Sequence, residues 1–511
     1  MGKVNKWIIA LSVVLPTLLE VIDTSVVNVS LNHIRGSLSA GVDEATWTVT
    51  AYLVSNAIII PLTGWLSSIF GRKRYLMFSV VLFTVSSFMC GSATSLRMLV
   101  FFRIVQGIGG GALQPLSQAI LFEAFPPAEY GMAMAMFGVG IMFGPIVGPV
   151  LGGWVTDNWS WPWIFYINIP IGIISIIMIT LFIHDPHYVK KIREKIDYWG
   201  LGLIVVGIGC LQIVLDKGQR EDWFSSAFIT RLSIISAVSL ILFVIIELKI
   251  REPVLNLREF KNIPYASANL IQFFTFFVLF GSIILLPLFL QELMGYNAYL
   301  AGLALAPGGI ATLIMMPIVG KLTTKINPKF ILFAGLVIVG YSMVMMLRFN
   351  LFIDFQMAAM PRIVMGIGMG MVFVPLMSMA FATIPKEEMG NATSIFSLLR
   401  NIAGSFGIAI MTTILAQRAQ FHQFRYSEGV NPFDLRYQMA LRNATALVQA
   451  KTGVANEMAA NGFIYQKLLQ EANLFSFVDA YYISTVIMVC ILPLVFLLKR
   501  PKHTNEPVFA H

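Results

Sequence analysis

Charge is what this chain lacks. Only 12% of its 511 residues are Asp, Glu, Lys or Arg, while 57% are hydrophobic. A soluble globular protein carries about 25% charged residues, and its surface-to-volume ratio leaves no room to hide so much apolar area. Cysteine is equally scarce. Cys90, Cys210 and Cys490 are scattered through apolar runs, which excludes a disulfide framework and a metal cluster and leaves them as buried small hydrophobes. No G-x-x-x-x-G-K-[ST] phosphate loop appears, so the sequence holds no P-loop ATPase, and no nucleophile motif stands out. The short alternating segments of a transmembrane barrel are missing too.

What the sequence has is long apolar runs, each close to the 20 or so residues that a helix needs to cross about 30 Å of hydrocarbon. They fall at 7–29, 46–68, 75–93, 98–121, 132–154, 163–183, 199–216, 227–248, 265–290, 300–322, 330–347, 356–383, 394–415 and 475–498. The fold class is therefore an all-α polytopic membrane protein of fourteen spans. The first run follows Lys3 and Lys6 but is too long for a signal peptide and has no cleavage site, so it is an uncleaved span.

Basic residues set the orientation. Lys3, Lys6, Arg72, Lys73, Arg74, Lys190, Lys191, Arg193, Lys195, Lys249, Arg251, Arg258, Lys261, Lys321, Lys325, Lys329, Lys386, Lys499, Arg500 and Lys502 fall on the side of the termini. The short loops of the other side hold only Arg35, Arg97, Lys217, Arg220 and Arg348. The positive-inside rule then puts both termini in the cytoplasm and accounts for the net charge of +9 without nucleic acid. The nine tryptophans, all near span ends, read as interfacial belts. The long external loop 416–474 escapes the charge rule.

The chain repeats itself. The string from Arg103 to Gly111 returns from Arg362 to Gly370 with seven of nine positions identical, and Pro61–Leu66 is echoed at Pro317–Leu322. Spans four and twelve correspond, as do two and ten. This gives two six-helix bundles with two extra helices between them: residues 1–185, an insert at 186–262, and 263–511 with the loop 416–474. Parallel six-span repeats are a transporter plan, with the site where the halves meet.

Ionisable side chains inside spans cost about 2.5–3.5 kcal/mol each on insertion scales and mark functional sites. Span one holds Glu20 and Asp23 one turn apart, with Thr24 and Asn28 extending the same polar stripe. Span four holds Arg103 and Gln106. Counted from their own span ends at 1.5 Å per residue, Asp23 and Arg103 lie at matching depth and can approach each other. An aspartate beside an arginine stays ionised; parted from it, it can take a proton. Asp23, Glu20 and Arg103 are the candidates for proton coupling. Thr24, Asn28, Gln106, Arg362 and Arg400 are candidates for the substrate cavity, with Arg362 favoured for packing or a backbone-carbonyl contact. No metal site is expected, and no cofactor beyond a proton gradient. Gly140, Gly144, Gly148 and Gly152, with Gly153 and the helix-bending Pro145 and Pro149, form a small-residue face on span five suited to a gate between half-bundles.

These residues resemble the major facilitator superfamily, and within it the fourteen-span drug/proton antiporters of the EmrB type. Asp23-Thr24 with Val27-Asn28-Val29, Arg103-x-x-Gln106-Gly107, Gly140 through Gly153, Trp163-Ile164-Phe165 with Ile167-Asn168, and Leu215-Asp216-Lys217-Gly218 carry the resemblance. It implies the major facilitator fold and a proton-coupled antiporter exporting hydrophobic drugs or toxins across a bacterial inner membrane. It also implies a tripartite pump with a periplasmic adaptor (EmrA-like) and an outer-membrane channel (TolC-like), for which loop 416–474 is the docking surface. The gating loop after span two departs from the pattern. Around Gly64, Gly71, Arg72 and Lys73, Ser68 replaces the usual acid, so the charge contact that locks one conformation must be replaced by another. Export of a lipid or siderophore-like natural product is the alternative. A membrane enzyme or sensor is disfavoured by the absence of a polar catalytic cluster.

Overall fold

The computed structural model describes residues 5–185, 197–250 and 253–498, with only the backbone of Asn32, Val42, Asp43, Pro145, Ile146, Pro149 and Ala298. Lys3, Lys190, Lys191, Arg193, Lys195, Arg251, Lys499, Arg500 and Lys502 lie outside the described residues. The first half comprises α1 (Lys6–Ser37), α2 (Val42–Phe70), α3 (Arg72–Gly91), α4 (Leu96–Gly110), α5 (Leu113–Ala124), α6 (Tyr130–Asn158), α7 (Trp163–Tyr166) and α8 (Asn168–Phe182). The insert is α9 (Tyr198–Lys217) and α10 (Ala227–Lys249). The second half comprises α11 (Ile263–Glu292), α12 (Ala298–Leu322), α13 (Pro328–Met346), α14 (Phe355–Phe381), α15 (Met389–Ser427), α16 (Leu435–Thr452) and α17 (Glu457–Ile491).

Among the described residues thirteen helical segments are long and apolar enough to cross a membrane; α4 and α5 together make one crossing, as do α7 and α8. At 29 residues, α6 is long enough to be the fourteenth. Side-chain caps start many of them where the sequence changes from polar to apolar: Asn5 for α1, Ser95 for α4, Asn297 for α12 and Asp354 for α14.

One face gathers the chain ends. Lys6 pairs with Glu129 ahead of α6 at 2.5 Å, Gly131 of α6 packs on Thr323 after α12, and Lys329 of α13 donates to the Phe496 carbonyl at 3.4 Å. Several direct contacts between the halves lie toward this terminal face. A Cβ on Gly64 of α2 would meet Gly390 O and Asn391 Cα at 2.9 Å, one on Gly138 of α6 would meet Met316 Sδ at 2.6 Å, and Phe122 stacks on Phe381 at 4.5 Å.

The repeat is visible in the packing. Gly107 lies against the Tyr52 carbonyl and Gly366 against that of Gly308; Gly109 lies on Ser79 and Phe83, and Gly368 on Gly335 and Val339. Each second-half partner sits 256 residues after its first-half counterpart.

Three details differ from the sequence reading. Residues 416–474, expected as a long loop with amphipathic helices in its polar middle at the membrane surface, instead extend the spans: α15 runs 39 residues and α17 starts at Glu457, so a helical hairpin with α16 rises from the face opposite the termini. At 1.5 Å per residue α15 is about 58 Å long, nearly twice the hydrocarbon thickness. Trp161 is buried against Phe165 rather than placed in a belt, and Cys490 is exposed on the outside of α17.

Candidate functional site

Asp23 has no exposed surface. Its Oδ2 accepts from Arg103 Nη1 at 2.6 Å, and its Oδ1 accepts from Gln106 Nε2 at 2.9 Å and Asn168 Nδ2 at 2.8 Å. Arg103 spends its other donors on the Thr48 carbonyl (Nε, 3.0 Å) and Gln106 Oε1 (2.7 Å), with its guanidinium 4.1 Å from the Tyr52 ring. Gln106 also donates to Ser87 at 2.8 Å. The acid, the cation and their amide neighbours come from α1, α4 and α8, and the Thr48 carbonyl of α2 and Ser87 of α3 bring the network to five helices. Asn168 Oδ1 has no partner among the described residues, but the two charges are paired, and an unpaired charge at this depth is far costlier than the pair.

Local sequence explains how five helices converge. The glycines after Arg103 let α4 lie directly on α2: a Cβ on Gly111 would sit 2.6 Å from the Asn56 carbonyl. This close approach brings Arg103 to the Thr48 carbonyl. The break between α7 and α8 sets Asn168 at the first position of α8, aimed at Asp23.

Glu20 belongs to a different environment. Its Oε1 accepts from Asn56 Nδ2 at 3.0 Å, whereas Oε2 finds no donor among the described residues. Gln114 and Arg400 are its other polar neighbours. Arg400, from α15 of the second half, donates to Gln114 Oε1 and lies 5.9 Å from the Phe276 ring. Glu20 therefore faces the seam between the halves, while Asp23 is sealed within the first half. The expected continuous polar stripe is split. Thr24 folds its hydroxyl back onto the Glu20 carbonyl at 3.0 Å, and Asn28 is exposed, away from both acids.

Arg362 occupies in the second half the place of Arg103. Its Nη1 donates to Ser282 at 2.9 Å and to the Met365 sulfur at 3.3 Å, side-chain partners rather than a backbone carbonyl.

The glycine face of α6 is not the gate between bundles. Cβ atoms on Gly144, Gly148 and Gly152 would meet Val21, Ser25 and Val26 of α1 at 2.5–3.0 Å, and one on Gly140 would meet Val14 at 2.7 Å. The face locks α6 onto the helix that bears Asp23, within one half. Gly153 has nothing within 4 Å, and the side chains of Pro145 and Pro149 are outside the described residues. Closure between halves uses α6 earlier, at Gly131, Ala135 and Gly138.

The gating loop resolves its missing acid. Among the described residues Ser68 bonds its own helix, at the Trp65 carbonyl (2.7 Å). Arg72 instead pairs with Glu123 at the end of α5 and reaches across to the Lys386 carbonyl of the second half at 3.4 Å. Asp185, after α8, accepts the Lys73 backbone N–H at 2.7 Å, capping the positive end of α3. Gly71 turns the corner between α2 and α3 at φ +87°, which favours glycine, and a Cβ there would strike Asp185. Lys73 anchors to the Thr180 carbonyl at 2.8 Å. Asn168 entered the sequence reading only as part of the resemblance, with no role; Ser87 and Gln114, polar within apolar runs, and Glu123, just past the end of one, are not among the sequence candidates.

Among the described residues no group of three or more His, Cys, Asp or Glu side chains is placed to hold a metal.

Residues 13–408 match the family model of the Major Facilitator Superfamily. The chain is 35% identical to the multidrug export protein EmrB of Escherichia coli K12 over 498 residues, 97% of this chain and 95% of that protein. It is 33% identical to the fatty acid resistance protein FarB of Neisseria gonorrhoeae, over 99% and 98% of the two. The crystal structure of the human organic anion transporter MFSD10 superposes with a TM-score of 0.60 at 14% identity, covering 95% of this chain and all of that one, which is a likeness of fold. Two repeated half-bundles, the buried Asp23–Arg103 pair between spans one and four, and these matches agree: the chain belongs to the Major Facilitator Superfamily, as a multi-pass membrane protein related to the EmrB export proteins.

Proposed function

We propose that the chain is a proton-coupled antiporter that exports hydrophobic drugs or toxins by alternating access, set in a bacterial inner membrane with both termini in the cytoplasm. The observation that carries this reading is Asp23: a carboxylate with no exposed surface, inside a span, held by one arginine and two amides. A proton arriving at Asp23 cancels the charge that Arg103 holds, frees the guanidinium, and loosens the joint between α1, α4 and α8. Driving force from a proton gradient is thereby turned into movement of helices.

The contacts between halves at the terminal face fit the state open to the outside. Glu20 and Arg400, which face each other across the seam with Phe276 beside them, are well placed to meet substrate. The external hairpin of α15, α16 and α17 fits a docking surface for a periplasmic adaptor in a tripartite pump with an outer-membrane channel. No cofactor beyond the proton gradient enters this scheme, and the chain acts as a transporter rather than an enzyme. Everted vesicles test it: Asp23→Asn, compared at equal amounts of folded protein, should bind substrate yet give no efflux driven by a pH gradient, and full efflux by that variant would refute the assignment.

A further inference from the structure

A second pair of carboxyl groups lies at the terminal face, outside the spans. Glu259 sits in the short turn Leu257–Lys261 between α10 and α11, and Glu388 immediately precedes α15. The two carboxyls meet within hydrogen-bonding reach, on the wall of a cavity of about 230 Å³ shared with Asn256, Asn262 and Thr383. Glu259 is 6% exposed, and its Oε1 finds no donor among the described residues. Glu388 is exposed and connects the pair to water. Two touching carboxylates cannot both stay ionised cheaply, and a buried unpaired oxygen adds to the cost. One shared proton answers both demands.

The surrounding charges do not replace that proton. Arg258 turns its guanidinium to the carbonyls of Leu248 (3.2 Å) and Ile250 (2.9 Å). Glu247 of α10 accepts from the Leu255 N–H at 3.5 Å, and Tyr265 of α11 donates to the Ala392 carbonyl at 2.7 Å. Arg72 is engaged with Glu123 and Lys386; Lys249, Lys261, Lys386 and Glu387 are exposed.

The position of the pair matters because the turn 383–391 is the surface on which the first half closes. Gly64 packs on Gly390 and Asn391, and Arg72 reaches the Lys386 carbonyl. The linker 253–262 clasps the same turn from the other side: Asn256 N–H donates to Asn391 Oδ1 at 3.0 Å, and Asn262 donates to Thr383 at 2.8 Å. We propose that Glu259 and Glu388 form a proton-binding site at the terminal face, separate from Asp23, whose occupancy holds this linker on the 383–391 turn and keeps that face shut.

Burial, and after it the Glu388 charge, push the Glu259 carboxyl up to about 8. The closed arrangement is fully favoured at low pH. It loses ground as pH climbs out of the ordinary carboxylate range, and bears the whole penalty once pH passes about 8. With the terminal face in the cytoplasm, as the proposed function has it, an acidified interior would shut the path by which protons enter.

Ser67, buried in the closed seam at 2% exposure, gives a readout that needs neither substrate nor gradient. S67C, in a background with the three native cysteines replaced by alanine, should be modified by an impermeant maleimide only when the seam opens. Its labelling rate, divided by that of the exposed control R74C, should rise about five- to tenfold between pH 6.5 and 8.5. The rise should vanish in E259Q, and also in E388Q, which changes only an exposed side chain. A rise that persists in both variants places the titration elsewhere and overturns the proposal. So does a labelling rate at pH 8.5 that falls to its pH 6.5 value on adding millimolar magnesium, which makes the pair a cation site. Because labelling is independent of transport, neither result depends on export being proton-coupled.

Discussion

Ser282 stands opposite Arg362 where Asp23 stands opposite Arg103. In each half the arginine Nη1 reaches back to a residue 80 positions earlier and to one three positions later, Gln106 in the first half and Met365 in the second. The duplicated architecture has kept its geometry while only one copy keeps the acid. The first half holds a neutral, fully bonded pair; the second holds a buried cation whose Nε is unpaired among the described residues.

Asp23→Asn should reduce export driven by a pH gradient to the background of vesicles lacking the protein. Asparagine can keep part of the hydrogen bonding but leaves Arg103 uncompensated, which should lower stability by about 3 kcal/mol. Thermal melting in detergent and vesicle efflux, measured on the same preparation, separate the two effects.

Ser282→Ala should do the reverse. It removes one hydrogen bond to a charged group, worth about 1.5–3 kcal/mol. The pH dependence of export should be that of the unaltered protein, because no proton carrier is touched. A displaced pH profile would show that the second half takes part in coupling.

Gly148→Val puts new atoms against Ser25, where even a Cβ would come within 2.5 Å. Overpacking of this kind costs about 1–3 kcal/mol, and it pushes α1 and Asp23 away from α6. Gly153→Ala, with nothing within 4 Å, should change stability by less than about 0.5 kcal/mol. Melting temperatures of the two variants make the comparison.

Glu123→Gln strips Arg72 of its carboxylate at the closed face. Breaking a buried pair costs about 3–5 kcal/mol, a cost confined to the state in which the pair forms. Spin labels on Arg74 and Lys325, both exposed on the terminal face of opposite halves, should report a longer distance in the variant. An unchanged distance distribution would remove the pair from the gate.

Replacing 430–456 by a short Gly-Ser linker deletes α16, in which Ala444 is the one buried residue. Transport by purified protein in liposomes should survive, since α15 and α17 keep their own packing. Resistance conferred on cells should fall to that of cells without the protein if the hairpin docks an adaptor, and cells growing as before would assign the hairpin another role.

The fold was legible wherever length and composition decide structure. The runs of apolar residues and the repeat at Arg103 and Arg362 specify spans and halves with no knowledge of packing. Matching depth also put Asp23 near Arg103. Depth, however, says nothing about azimuth. Glu20 and Asp23, one turn apart, point into different surroundings: Asp23 meets Arg103 and Gln106 of α4 and Asn168 of α8, whereas Glu20 meets Asn56 of α2 with Gln114 of α5 and Arg400 of α15 nearby. The same limit misplaced the glycine face of α6: spacing shows that a helix is approached closely, not which helix approaches it. The roles of Asn168 and Glu123 are not legible in the sequence, because a single polar residue near a span end looks like an interface residue until the partner across the bundle is known.

The insert has a consequence for molecules dissolved in the bilayer. Asp216 and Lys217 at the end of α9 bond Thr50 and Thr46 of α2, at 2.5 and 3.2 Å, while Gln212 donates to Asn401 of α15 at 3.2 Å and accepts from Ser405 at 2.9 Å. Further along α9, Gly209 lies against Ile58. The added pair of helices is thus a wall along one of the two clefts at which the halves part. A greasy compound drifting in the leaflet meets protein there. On the far side α6 and α12 pack directly, Gly131 on Thr323 and Ala135 on Gly320, so one flank of the seam is closed by the insert and the other by small residues in contact.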